Sequence, residues 1–289
     1  MIILFVCNYF PSLITTNYIV KELLNLQYDI TIINTGSNFN RKAIVPISPI
    51  VKFYSYDAFN ILHPIIKKMD IKLEVLTYKE LVTQSNKISY FEFADINSNN
   101  KLNQMISTST FHGAVSVRFN QIFNDSMIEI IKNKGFFWNI HGGLLPEYKG
   151  LMGVARALLN AETSIGWSIH EISKKVDQGN IISSIKVKKN HKMSVLEYEI
   201  LLAQAIVKKF IMSLKQKDNI TMFPNRYTLG DTYSNLTKSE LLELENMGIL
   251  FSNEQSFVSI INDLSENLSN LSKESIIKHL NQYTKNINH

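Results

Sequence analysis

Short, uninterrupted apolar runs alternate with stretches of helical periodicity along the first part of the chain. Residues 2–7 (IILFVC) are apolar throughout, as in a strand buried on both faces. Ser12 or a neighbour opens a helical stretch to about Asn25, with Ile19, Val20, Leu23 and Leu24 at helical spacing. Residues 29–33 (DITII) form a second buried run, so the chain opens on a strand–helix–strand unit, and a parallel sheet follows from it. Residues 35–60, interrupted by Pro46 and Pro49, predict irregular structure, and 61–84 predict a largely helical segment. Further strands are predicted at 88–94 (ISYFEFA), 113–119 (GAVSVRF), 136–140 (FFWNI), 165–172 (IGWSIHEI) and 180–187 (NIISSIKV). Helices are predicted from Asn97 to Ser109, from Asp125 or Ser126 to Lys132, over 151–160, and from a Ser194 cap to about Lys215. The remainder starts irregular and turns helical around 238–247 and 254–283. The pattern predicts an α/β fold with a doubly wound, mostly parallel sheet over 1–215. A small, mainly helical appendage is expected over 216–289.

Composition narrows this picture only a little. The 289 residues are 45% apolar and 19% charged, ordinary for a soluble protein with a full core. The net charge of +5 favours anionic ligands. It equally reflects a chain rich in Lys, Ile and Asn throughout. No dense Lys/Arg cluster marks a nucleic-acid partner. Cys7, the one cysteine, reads as a buried strand residue, and no Cys/His metal spacing is present. The opening run lacks a basic leader and a cleavage site, so it reads as a first strand and not a signal peptide. No apolar stretch approaches the ~20 residues needed to cross a bilayer. A cytoplasmic protein with no membrane partner is expected. The turn after the first strand (Cys7-Asn8-Tyr9-Phe10-Pro11-Ser12) has no glycine, which argues against dinucleotide binding.

Candidate chemistry gathers where the 136–140 run ends. Asn139 and His141 stand at i and i+2, so their side chains share one face at the carboxyl end of a central strand, where open α/β sheets bind ligands. Gly142 and Gly143 follow and permit close approach of backbone to a ligand. Asp177 lies in a short loop bounded by Gly179 between two predicted strands, and that loop can return to the same edge. An amide, an imidazole and a carboxylate without a Ser or Cys nucleophile suit direct group transfer: His as acid or base, Asn as oxyanion donor, Asp orienting the His. On spacing alone, satisfied polar core groups are the favoured reading.

The segments NIHGGLLPEYKG (139–150) and GWSIHEISKKVDQGNII (166–182) resemble the folate-dependent formyltransferase family, which includes glycinamide ribonucleotide, methionyl-tRNA and nucleotide-sugar formyltransferases. The matching positions are Asn139, His141, Leu144, Leu145, Pro146, Lys149, Gly150, Asp177 and Gly179. GAVSVRFNQIF (113–123) is similar to the strand and loop lining that family's folate site. The resemblance implies a Rossmann-like formyltransferase core, with N10-formyltetrahydrofolate as donor and no metal needed. An acceptor amine would attack the formyl carbon. Asn139 and protonated His141 would stabilise the oxyanion, and Asp177 would support His141 and assist proton transfer. Phe119, Asn120, Gln121 and Ile122 would border the pterin with Lys174, Lys175, Val176 and Asp177, largely through backbone groups; plain core packing is the alternative for Phe119 and Ile122. His170 matches a histidine of some members, or is a strand histidine with no catalytic part. Gly142, Gly143, Lys149 and Arg156 are substrate-side candidates; the two cations would meet phosphate or are simply solvated. Trp138 and Trp167 read as packing residues.

Among acceptors, the tail reads helical, unlike the C-terminal barrel of the tRNA-directed branch. The chain exceeds the catalytic domain of the glycinamide branch, and with a first strand at Ile2 the N-terminal regulatory domain of the folate-hydrolase branch is not expected. A nucleotide-linked amino sugar destined for surface glycan is favoured, with hydroxyornithine next. Leu151-Met152-Gly153-Val154 departs from the Tyr-Pro-Asn type stretch of many sugar enzymes. A folate-binding protein without turnover, and a nucleotide-binding α/β protein unrelated to folate, stay as alternatives. A homodimer is plausible from the family likeness alone.

Overall fold

The computed structural model describes residues 1–36, 46–97, 99–190, 192–225, 231–266 and 268–285. The apolar runs do become strands: β1 (Ile2–Val6), β2 (Ile30–Asn34), β3 (Ile88–Glu92), β4 (Gly113–Val117) and β5 (Phe136–His141). Two short strands, β6 (Tyr148–Gly150) and β9 (Asp231–Tyr233), pair apart from these, while β7 (Ser164–Glu171) and β8 (Ile181–Lys188) complete the main sheet. The order in that sheet is β3-β2-β1-β4-β5-β7-β8. β1 to β5 are parallel, and β7 and β8 run antiparallel. The chain winds outward from β1 to β3 and then returns to β4 on the other side of β1. The crevice at the carboxyl ends of β1 and β4 is therefore a topological switch point.

Residues of the central strands alternate between two apolar layers. Ile2, Leu4 and Val6 face one layer, and Ile3 and Phe5 face the other. The first layer is covered by α1 (Phe10–Asn25), α3 (Ala58–Lys68), α7 (Gly153–Leu159) and α8 (Val195–Lys215). The second is covered by α5 (Asn100–Thr108) and α6 (Asp125–Lys132). The last helices, α9 (Lys238–Asn246), α10 (Glu254–Asp263) and α11 (Asn270–Thr284), send Leu244, Phe257, Ile261, Ile276 and Leu280 into the first layer. No described helix is long and apolar enough to cross a membrane.

The prolines account for the main departures from the expected elements. Pro11 sits in the first turn of α1, so the helix starts at Phe10, before Ser12. Residues 37–45 lie outside the described residues, but the rest of the expected irregular stretch is largely helical. Pro49 begins α2 (Pro49–Lys52), which runs through a π turn (Phe53–Asp57) into α3. A proline in a first turn loses no hydrogen bond, because its N–H would be unpaired there anyway. The expected 61–84 helix stops at Lys68 instead. Leu73 then bridges Ser265, and only α4 (Tyr78–Leu81) with a short 3-10 turn follows.

Candidate active site

Three turns of the sheet converge at the switch point. β5 ends on Asn139, Ile140 and His141, and antiparallel β7 sets His170 directly opposite Asn139. The β7–β8 turn brings Asp177 back over the same edge. Asp177, Arg118 after β4, and Met152 before α7 all adopt positive φ (53°, 53° and 62°), although none is glycine. Such backbone costs roughly 1–2 kcal/mol per residue and tends to collect at functional sites.

The side chains close into one network. Asp177 Oδ1 lies 3.5 Å from His141 Nδ1 and 3.5 Å from His170 Nε2. Its Oδ2 accepts from the Gly150 N–H at 2.8 Å. His141 Nε2 is 2.6 Å from the Tyr148 carbonyl, His170 Nδ1 is 2.7 Å from the Glu171 carbonyl, and His170 Nε2 is 2.9 Å from Asn139 Nδ2. The loop itself is clamped by buried Asn225, whose Nδ2 donates to the carbonyls of Asp177 (2.9 Å) and Gly179 (3.0 Å).

Charge in this network is set by burial against partners. Burial opposes ionisation of Asp177, but His141, His170 and the Gly150 N–H outweigh it and hold the carboxyl well below the usual carboxylate range. Burial also dominates at His141 and pulls its imidazole below the ordinary value, with Asp177 pulling the other way. Both nitrogens of His141 face acceptors, so added negative charge nearby favours the doubly protonated ring.

A cavity of about 560 Å³ opens above this network. Asn139, His141, His170 and Asp177 all line it. So do Phe119, Asn120, Gln121 and Ile122 on the β4 side and Lys174, Lys175 and Val176 on the loop before Asp177. Phe119 packs on Phe5 and Phe123 as well, whereas Ile122 is exposed and not a core residue. The amides of Asn120 and Gln121 are spent on structure. Asn120 Oδ1 accepts from the Thr35 hydroxyl at 2.7 Å, and Gln121 Nε2 donates to the Ala94 carbonyl at 2.8 Å. Lys174 pairs with Asp125 (3.1 Å) and Glu129 (3.2 Å) at the start of α6.

The substrate-side candidates divide differently. Gly142 lines the cavity; Gly143, Lys149 and Arg156 do not. A side chain at Gly143 would meet the Tyr148 carbonyl at 2.6 Å, so that glycine serves chain packing. Lys149 is buried in β6, which pairs with β9. Arg156 is neither solvated nor directed at the cavity. Its guanidinium pairs with Glu240 at the α9 N-terminus, donates to the Ser234 and Asn235 carbonyls and lies over the Tyr233 ring. Trp138 and Trp167 are buried packing residues, as expected.

Other wall residues were not among the site candidates. Arg118 lines the cavity and reaches behind Gly142, where it pairs with buried Glu199 of α8 at 3.3 Å between the rings of Tyr9 and Trp167. A Cβ on Gly142 would lie 1.2 Å from Arg118 Nη1, so only glycine leaves room for it. Tyr9, Tyr56, Leu151 and Met152 complete the far wall. Arg118 closes the apolar run of the GAVSVRFNQIF segment as its one charge, a signal that did not single it out; Asn225 gave none.

Residues 74–211 match the protein family described as formyl transferase. Asn139, His141, His170 and Asp177 lie inside the matched stretch, as do Arg118 and Glu199, whereas Tyr9, Tyr56 and Asn225 lie outside it. The methionyl-tRNA formyltransferase of Mycoplasmopsis pulmonis (strain UAB CTIP) is 28% identical over 114 residues, 38% of this chain and 39% of its own. The bifunctional polymyxin resistance protein ArnA of Wigglesworthia glossinidia brevipalpis is 32% identical over 108 residues, 36% of this chain and 16% of its own. The chain thus spans well under half the length of these relatives. An N-formyltransferase from Helicobacter canadensis, solved with folinic acid and dTDP-3-aminofucose, shares the fold at TM-score 0.52 and 15% identity, over 81% of this chain and 71% of its own. WlaRD, a sugar 3N-formyl transferase solved with dTDP and 5-N-formyl-THF, does so at TM-score 0.52 and 18% identity, over 81% and 69%. Glycinamide ribonucleotide transformylase 1 from Symbiobacterium toebii does so at TM-score 0.51 and 14% identity, over 75% and 86%.

Proposed function

We propose that the chain transfers a formyl group from N10-formyltetrahydrofolate to an amine. The observation that carries this reading is the Asn139–His170–Asp177–His141 network, with both histidines and Asp177 buried, at the floor of one cavity within the stretch that matches the formyl transferase family. In this reading the donor lies along Phe119–Ile122 and Lys174–Val176. The unprotonated amine attacks the formyl carbon and a C–N bond forms. Negative charge then develops on the formyl oxygen, where the Asn139 amide donates a hydrogen bond. That charge also draws a proton onto His141, whose second nitrogen already faces Asp177. Asp177 assists passage of the amine proton to N10, and the C–N10 bond breaks to release tetrahydrofolate and the formamide product.

The acceptor in this reading is a nucleotide-linked amino sugar in the cytoplasm, on a route to surface glycan. Two of the solved proteins that share the fold are named for sugar or N-formyl transfer, one with an amino sugar bound. The Mycoplasmopsis pulmonis relative keeps methionyl-tRNA as the second acceptor to test. The test is to mix the protein with N10-formyltetrahydrofolate and a panel of dTDP-, UDP- and GDP-amino sugars, hydroxyornithine, glycinamide ribonucleotide and methionyl-tRNA, and to read the mass gain of one formyl group. A product from one amino sugar that vanishes with His141→Ala supports the reading. Failure to bind folate overturns it.

A further inference from the structure

The network at the cavity floor has a second property that proton chemistry does not require. His141 Nδ1, His170 Nε2 and Asp177 Oδ1 point at one another, all within 4.8 Å, and all three residues are buried. The two histidine–carboxylate separations are 3.5 Å each. A tetrahedral ion with ligand bonds of ~2.0–2.2 Å has ligand-to-ligand edges of about 3.3–3.6 Å. Two of the three edges therefore already fit, and the third is no longer than 4.8 Å.

The outward atoms are held as they are in protein metal sites. Each histidine's other nitrogen faces a backbone carbonyl, His141 Nε2 that of Tyr148 (2.6 Å) and His170 Nδ1 that of Glu171 (2.7 Å). The second oxygen of Asp177 is held by the Gly150 N–H at 2.8 Å. Such contacts fix ring orientation and tautomer so that the inward lone pairs face the ion. One contact must yield: Asn139 Nδ2 lies 2.9 Å from His170 Nε2. Turning that amide presents Oδ1 as a further oxygen ligand, and the cavity beyond it leaves room for water.

We propose that His141, His170 and Asp177 form a site for one divalent transition ion, Zn2+ in the first instance, whose binding shuts the cavity floor to formyl transfer. Two imidazoles and one carboxylate are borderline ligands that suit Zn2+, Co2+ and Ni2+ and discriminate against Mg2+ and Ca2+. The ion takes the lone pairs on His141 and His170 and the charge on Asp177, so it competes with every role those groups have in transfer. The binding claim stands on geometry alone, while the inhibition claim rests on the function proposed above.

The test titrates the whole, chelator-treated protein with Co2+ and reads visible absorption, then adds Zn2+ to displace it. The expected result is a one-to-one Co2+ band of low-symmetry N/O ligation, displaced by Zn2+ and weakened by at least roughly tenfold in affinity with His170→Ala. Thermal unfolding of the unmutated protein supplies a readout free of variants, because an ion bound only by the folded state raises Tm. No band together with no Tm shift overturns the proposal, as does a band that survives both His141→Ala and His170→Ala. If the band appears but the unmutated protein transfers no formyl group without the ion, the site stands and the transferase reading falls.

Discussion

Asp177 and Glu199 are both buried carboxylates with basic side chains beside them, yet their protonation balances differ in direction. Burial raises both. At Asp177 the two imidazoles and the Gly150 N–H overcome it and depress the value. Glu199 has Arg118 at 3.3 Å and the Trp167 indole beside it, yet burial outweighs both and leaves its value raised. Asp177 lines the cavity and Glu199 does not. The number of donors around a buried carboxylate, more than its depth, decides whether it stays ionised. The first arrangement keeps a charge ready beside a ligand; the second braces the wall through Arg118.

The largest effect should come from breaking the brace. Glu199→Ala strands a buried guanidinium, and chemical unfolding should show a loss of about 3–5 kcal/mol. Arg118→Met with Glu199→Leu should recover most of that loss, because a well-packed apolar pair avoids the desolvation cost. If Glu199→Ala unfolds like the unmutated protein, the pair is no brace and the contrast fails. Gly142→Ala should link the two regions, since its Cβ would fall 1.2 Å from Arg118 Nη1. Displacing Arg118 should lower stability by about 1–3 kcal/mol and disturb His141 next to it in sequence, read as lower Tm together with slower transfer.

Asn225→Ala should release the Asp177 loop at a cost of about 1 kcal/mol for each of its two hydrogen bonds. Slower transfer with little change in folate affinity would mark Asn225 as a positioning residue. A change in stability alone would reduce it to a loop strut.

The smallest effect is on pH dependence. Asp177 has a depressed value, so it contributes stability that is present above the unfolded value of about 3.9 and is lost as pH falls toward the folded one. His141 is lowered, so the folded chain resists its protonation, and stability falls as pH drops below about 6.5. Glu199, being raised, acts with the opposite sign. Asp177→Asn should flatten the loss of stability below about pH 4, followed by unfolding in urea across pH.

Elements buried by strand alternation were legible in the sequence, because β1, β2, β4 and β5 read as unbroken apolar runs. Asn139, His141 and Asp177 were legible for a similar local reason: an i, i+2 pair at a strand end, and a Gly-bounded turn. Their meeting with His170 depended on β7 running antiparallel beside β5, which no local pattern states. Lys149 and Arg156 stand near the motif in sequence but do not line the cavity: Lys149 is buried in β6, and Arg156 pairs with Glu240. Glu199 sits among Leu196, Leu202, Ala203 and Ile206 on an apolar helix, so its partner could come only from the fold. Pro49 was misleading because it starts a helix and does not break one.

The most direct test of the central claim is a single-turnover rate of formyl transfer at saturating N10-formyltetrahydrofolate, with folate affinity measured in parallel, for the unmutated protein and for Asn139→Ala, His141→Ala and Asp177→Asn. The account predicts unchanged folate affinity and rates lower by ~10²–10³ for Asn139→Ala, with comparable losses for the other two. Rates within a few-fold of the unmutated protein in all three would contradict it.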